Sequence, residues 1–217
     1  MGQTRFVAVL AASAFAGVLS QPLAAQLATR PAEEWSKTLD APVRATVLRV
    51  AEIVPKLKLK PGEIVADIGA GPGLFEASLG KGVSPGGMVY AVEVDEGFFP
   101  SIKQKVAAAG VTNVQTVLGK FTDPNLPVRN VDTAFFHDVL HHVEDRAGYL
   151  KALAGYLKPS GRIVVIDYEK GQGGHQTQPE LQVTREQLDA MMANAGFKLT
   201  EDVKLFTDKY FLVYTRR

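Results

Sequence analysis

The 217-residue sequence contains no cysteine. Disulfides, thiolate metal sites, a catalytic thiol and a lipidated cysteine are therefore excluded. An excess of charge of either sign is also missing. Twenty-four Lys and Arg face 23 Asp and Glu, a net charge of +1. No strong field draws such a chain to nucleic acid or anionic lipid, and no dense basic run marks a nucleic-acid patch. Apolar runs long enough to span a bilayer are absent too. The longest, at residues 6–19, is about 14 residues against the roughly 20 that a spanning helix needs. Neither a nicotinamide G-x-G-x-x-G fingerprint nor a Walker loop ending in Gly-Lys-Ser/Thr is present.

What the chain does have begins with an unusual N-terminus. "MGQTRFVAVLAASAFAGVLSQPLAAQ" carries one early cation, Arg5, then the apolar run, then small residues around Ala24 and Ala25. This is the three-part layout of a secretory signal peptide, although Leu23 stands where a smaller residue is usual. Residues 1–25 are read as a signal peptide, with an uncleaved N-terminal anchor as the alternative. The expected location is periplasmic or secreted, against a cytoplasmic protein or one anchored at the inner membrane. The remaining residues, 46% hydrophobic and 22% charged over the whole chain, suit one domain with a sizeable core.

Residues 26–60 read as a helical cap, with Val43, Val47, Val50, Ile53 and Val54 near a 3.6-residue period. From residue 61 onward, strand and helix patterns alternate. "EIVADIG", "MVYAVEVD", "VTNVQTVLG", residues 131–136 and "RIVVIDYEK" read as five strands. Helices fill the gaps, and the one after residue 136 is expected to start at once and run through Leu150, Leu153 and Leu157. Thr184 and Gln187 form a capping box ahead of the last helix. "FKLTEDVKLF" and "KYFLVYTRR" close the chain as an antiparallel pair around Thr207 and Asp208. The expectation is an α/β, Rossmann-like, doubly wound sheet of seven strands, mostly parallel, with an antiparallel C-terminal hairpin.

The chemistry centres on "VADIGAGPGLF". Gly69, Gly71 and Gly73 alternate, and Asp67 stands two residues ahead. The loop follows the first strand, where doubly wound sheets bind their ligands. By itself it admits a dinucleotide, a phosphate or a sulfonium cofactor.

With its neighbours it resembles the class I S-adenosylmethionine-dependent methyltransferases. "DIGAGPG" matches the family's first motif, "VYAVEVDE" its second strand, "FFHDVLHHV" its fourth strand and exit, and "LKPSGRIVVID" its fifth. The terminal hairpin is similar as well, and the resemblance covers residues 59–217. It implies S-adenosyl-L-methionine as cofactor. Asp67 would face the cofactor's amino group, Gly69, Ala70, Gly71 and Gly73 would pass beneath it, and Glu93, with Val94 beside it, would accept the ribose hydroxyls. Many relatives carry an acid after the third strand for the adenine. Lys120 stands in that place here, which leaves adenine to the Lys120 and Phe121 backbone and the Phe121 ring, or to Asp123 should the loop fold back.

The implied activity is methyl transfer to a small molecule, with no nucleic-acid partner. A non-catalytic cofactor-binding protein and a protein isoaspartate carboxyl methyltransferase are the alternatives. His137, Asp138 and His141 are the catalytic candidates, with His142 beside them, since a histidine titrating near neutrality can take an acceptor's proton. His137 also counts among the cofactor contacts. No metal is assigned, because His137 ends a strand and does not share a helix face with His141. Asp167, Tyr168, Glu169 and His175 are read as bordering the acceptor or as a solvated loop. Trp35 is read as part of a lid or a sheet cap, and Phe98 and Phe99 as helix-start core or an adenine platform.

Overall fold

The computed structural model describes Glu34 and residues 38–217. The signal-like segment, its cleavage site and Trp35 lie outside the described residues. Among the described residues, no helix is long and apolar enough to cross a membrane.

Seven strands form one sheet: β1 (Ile64–Ile68), β2 (Met88–Glu93), β3 (Val114–Leu118), β4 (Val131–His137), β5 (Leu157–Tyr168), β6 (Phe197–Asp202) and β7 (Lys209–Arg216). Their order is β3-β2-β1-β4-β5-β7-β6. The first five run parallel, while β7 lies antiparallel between β5 and β6. This is the expected doubly wound sheet with its C-terminal hairpin. The order reverses at β1, so a crevice opens beyond the carboxyl ends of β1, β2 and β4.

The helices are α1 (Pro42–Val47), α2 (Val50–Lys56), α3 (Glu76–Gly82), α4 (Phe99–Ala108), α5 (Arg146–Ala154) and α6 (Arg185–Asn194). Two apolar layers sandwich the sheet. One joins α1–α3 residues such as Ile53 and Leu79 to Val65, Val89 and Phe135. The other joins Leu150 of α5 and Leu188 of α6 to Ala66, Val92 and Phe136. Alternate strand residues face opposite layers. Val65, Val89 and Phe135 therefore fix the side taken by Asp67, Glu93 and His137, which lie an even number of residues further along the same three strands.

One expectation about helices is refined and one corrected. The described part of the N-terminal cap is helical, in two pieces. It breaks at Arg49, whose φ of 56° is left-handed, a conformation that ends a helix for any residue with a Cβ. The broken piece is latched down elsewhere: the Arg49 guanidinium bonds Leu205 O and lies over the Phe206 ring. The segment after β4 does not begin a helix. Leu140–His142 is a single 3₁₀ turn, and α5 starts only at Arg146, where the Asp145 carboxylate accepts the Gly148 N–H at 2.9 Å. That cap satisfies a free helix-start donor and fixes the boundary.

Candidate active site

The glycine loop uses its freedom where the backbone demands it. Gly69 and Gly71 have φ of 75° and 54°. A Cβ on Gly69 would sit 2.3 Å from Val139 Cγ2, whereas one on Gly71 meets nothing within 4 Å. Gly69→Ala is therefore expected to destabilise the fold by overpacking and strain, by roughly 2–4 kcal/mol. Gly71→Ala pays only left-handed strain of about 1–2 kcal/mol. Thermal unfolding of the two variants should rank them in that order.

The loop forms one wall of a cavity of about 890 Å³. Asp67, Glu93 and His137 all line it, as their shared sheet face requires. Gly69, Ala70, Gly71, Val94, Lys120, Phe121, Asp138 and His141 also border it. Gly73 serves the fold instead: at φ 87° it packs against Ile102 of α4, with room for no more than a hydrogen.

Glu93 ends β2 and reaches back across the crevice. Its Oε2 accepts the Gly71 N–H at 2.9 Å, and its Oε1 accepts the Val94 N–H at 2.7 Å. Burial raises its pKa, and the backbone donors of Gly71, Val94 and Asp95 oppose the rise. Oε1 also accepts the Asp95 N–H at 3.4 Å, a long contact that a stronger donor can displace, and Oε2 keeps a lone pair for a further donor.

Asp67 is buried, and its strongest neighbour is Glu76, the first residue of α3. Sequence reading missed Glu76 because an acid at a helix start is ordinary. Here it is fully buried, with Oε2 on the Phe75 N–H at 3.1 Å and Oε1 without a hydrogen-bond partner among the described residues. The two buried carboxyls act on each other strongly, so that an ionised Glu76 disfavours ionisation of Asp67. Burial, then the Glu76 charge, hold Asp67 well above the usual carboxylate range. Burial lifts Glu76 to about 7.

The fourth strand delivers the histidine cluster. His137 packs against Phe75, ring centroids 5.1 Å apart, and its buried Nε2 has no partner among the described residues. Burial lowers its pKa to about 4, so it is a neutral imidazole at pH 7. Asp138 follows at φ 54° and is committed elsewhere: both its oxygens bind Lys209 Nζ, at 2.7 and 2.6 Å. Lys209 is itself buried, 4.1 Å from the Tyr168 ring centroid. Lys209→Met would strand the Asp138 charge and is expected to cost about 3–5 kcal/mol. Adding Asp138→Asn should recover most of that loss in denaturant unfolding.

His141 is anchored from below, its Nδ1 donating to Asp167 Oδ1 at 2.7 Å. His142 and His175 complete a cluster of three rings with centroids 4.1 to 5.2 Å apart. Burial, then His141 and His175, lower the His142 pKa to about 3. Tyr168 and His175 line the cavity, whereas Glu169 turns away to Arg185, 2.6 Å from its guanidinium.

Around the outer mouth, Val94, Leu118 and Phe121 are exposed apolar side chains on the cavity wall. With Glu93 in the same lining, they give that part of the cavity an apolar surface of the kind a nucleoside base can pack on. Phe98 is both buried core and cavity wall. Asp123 does not fold back, since its Oδ1 accepts both the Tyr156 hydroxyl at 2.7 Å and the Asn125 N–H at 2.6 Å.

S-adenosylmethionine fits this cavity on two counts. The volume lies within the roughly 300–1,000 Å³ of small-ligand sites. Asp67 and Glu93 also line one end of it, with the Glu76 carboxyl buried behind Asp67, an acidic arrangement that favours a cationic ligand.

Fold and site together define an α/β protein that binds a cationic nucleoside at the switch point of its sheet. Residues 66–165 match the methyltransferase domain family. That match takes in just under half of the chain, the part that holds the glycine loop, Glu93 and His137, and it supports S-adenosylmethionine as the cofactor. A S-adenosylmethionine-dependent methyltransferase from Aquifex aeolicus has the same fold, with a TM-score of 0.74, 24% identity and coverage of 83% of this chain and 96% of that one. Magnesium protoporphyrin IX methyltransferase from Synechocystis PCC 6803, solved with bound S-adenosylhomocysteine, gives a TM-score of 0.62 at 19% identity, covering 80% and 83%. Phosphoethanolamine N-methyltransferase 1 of Arabidopsis thaliana is 26% identical over 118 residues, 54% of this chain and 23% of that protein. The chain spans about a quarter to a third of the length of such curated relatives.

Proposed function

We propose that the chain methylates a small-molecule acceptor seated between His137, Tyr168 and the N-terminal cap. The observation that carries this reading is the extent of the cavity. It continues past the carboxylate end to Leu39, Arg44 and Leu48 of the cap and to Val143, Tyr168 and His175 opposite. That end is walled by side chains on several sides, which suits a molecule of limited size better than a polymer. The relative named for phosphoethanolamine supports a small acceptor as well.

Asp67 would hold the cofactor's ammonium and Glu93 its ribose hydroxyls. When bound, the cofactor supplies an electrophilic methyl group on a sulfonium whose charge disappears in transfer. Transfer of that kind needs alignment and dryness more than acid help, and the cap and the Phe75 and His137 rings provide an apolar, water-poor wall. The unpartnered His137 Nε2 is placed to accept a hydrogen bond from an acceptor's O–H or N–H. Asp138 contributes by fixing Lys209 and Tyr168, not as a free base. Residues 1–25 are proposed as an export signal on composition alone, and N-terminal sequencing of the mature protein tests that part.

The reading is tested by incubating the purified chain with S-adenosylmethionine and panels of amines, phenols, quinols and thiols. Acceptor-dependent formation of S-adenosylhomocysteine, measured by mass spectrometry, is the expected result. Cofactor binding without turnover on any panel, or turnover only with a protein acceptor, would overturn it.

A further inference from the structure

We propose that His141, His142 and His175 form a binding site for one divalent transition-metal ion of the zinc type, set in the wall of the methyl-transfer cavity. One ring nitrogen from each of the three lies within 4.8 Å of the others. Three imidazoles with an open fourth position are a zinc donor set, and their neutral nitrogens suit zinc, cobalt or nickel over magnesium or calcium.

The surroundings of the rings carry the argument beyond proximity. Ligating histidines usually donate their second nitrogen to an orienting acceptor. His141 Nδ1 engages Asp167 Oδ1 at 2.7 Å, and Asp167 is held in turn by the Tyr168 N–H at 2.9 Å and the His141 N–H at 3.3 Å. His175 Nδ1 meets Gln178 Oε1 at 2.7 Å. Nε2 is thus the free nitrogen in both rings. The third ring supplies an unsatisfied group: His142 Nδ1 is buried and has no hydrogen-bond partner among the described residues. A buried polar atom without a partner is costly, and a metal bond would satisfy it. Asp167 also brings one negative charge under three neutral ligands.

Tetrahedral zinc with bonds of about 2.0–2.1 Å sets its nitrogens roughly 3.4 Å apart. The rings must therefore close by an ångström or so. His175 sits in a short 3₁₀ turn, Gly173–His175, outside the regular elements that hold the fold, whereas His141 is fixed by Asp167, so His175 is the partner that would move. All three rings line the cavity, so the fourth position would face the acceptor end. Metal binding itself does not rest on the methyl-transfer reading. Only a role for the metal in holding an acceptor oxygen, nitrogen or sulfur does.

The test uses the untagged full chain, stripped with chelator and titrated with zinc chloride by calorimetry, with elemental analysis of the dialysed protein. One zinc per chain is expected, with cobalt giving the visible bands of a tetrahedral site. His175→Ala, on the exposed side of the cluster, should weaken zinc binding at least 100-fold, and Asp167→Asn about 10–100-fold. His137→Ala should leave zinc affinity unchanged. Circular dichroism would establish that each variant is folded. No stoichiometric zinc, or equal zinc on wild type and the folded His175→Ala variant, would overturn the site. Loss of zinc in the variants with no methyl transfer by any form would leave the site standing and count against the catalytic reading.

Discussion

Glu93→Ala is expected to weaken S-adenosylmethionine binding about 100-fold. The carboxylate ends β2, with one oxygen on the glycine loop and the other on the residues just after the strand. Two ribose hydroxyls donating to it form hydrogen bonds to a charged group, each contributing roughly 1.5–3 kcal/mol. Loss of the pair, partly replaced by water, comes to about 3 kcal/mol, or a factor near 100 in affinity. The variant also frees the Gly71 and Val94 N–H groups, so its fold must be checked by thermal unfolding before binding is compared. Asp123→Asn provides the contrast. Its carboxylate faces Tyr156 and Asn125, so affinity should stay within about twofold of wild type.

Cofactor affinity should also rise steeply with pH below neutrality. The Asp67–Glu76 pair holds a proton in the free protein because burial raises both groups, Glu76 to about 7. A cationic amino group arriving at Asp67 favours the ionised form and expels that proton. Affinity is therefore expected to increase up to tenfold per pH unit between about pH 5.5 and 7, then flatten. The stability of the free protein has the opposite slope. Both carboxyls bind protons more tightly folded than unfolded, so their contribution is full below the ordinary value near 4.5 and is lost as pH rises through about 7. Glu76→Gln should flatten both profiles, since an amide can donate to an ionised Asp67 at any pH. Calorimetry in buffers of different ionisation enthalpy would count the released proton, and urea unfolding across the same range would measure the stability slope. A wild-type affinity independent of pH would contradict the paired-proton reading.

Much of this was legible in the sequence because strands impose a period of two. Once "VADIG", "VYAVE" and "AFFH" are strands in one parallel sheet, Asp67, Glu93 and His137 fall on a common face at adjoining ends. The glycine spacing and the antiparallel tail were equally direct. What stayed hidden depends on contacts between distant segments. Glu76 reads as a routine helix-start acid until α3 packs on the Asp67 side of the sheet. Asp138 reads as a free carboxylate until β7 brings Lys209 to it across 71 residues. His175 stands in a polar loop and joins His141 and His142 only when that loop folds over the end of β5. The N-terminal period could not reveal the left-handed Arg49: Val50, Ile53 and Val54 pack on the sheet's layer as the stripe predicts, but the break turns Val43 and Val47 to the surface and brings Ala45 and Leu48 inward instead.

The central claim is that one cavity grips a sulfonium nucleoside by its two ends. A crystal structure of the chain with S-adenosylhomocysteine, the demethylated cofactor, tests it most directly. The account places the ribose hydroxyls within hydrogen-bond distance of Glu93 and the amino group against Asp67, with the sulfur facing His137. A nucleoside found outside the crevice formed by β1, β2 and β4, or bound there with its sugar away from Glu93, would contradict it.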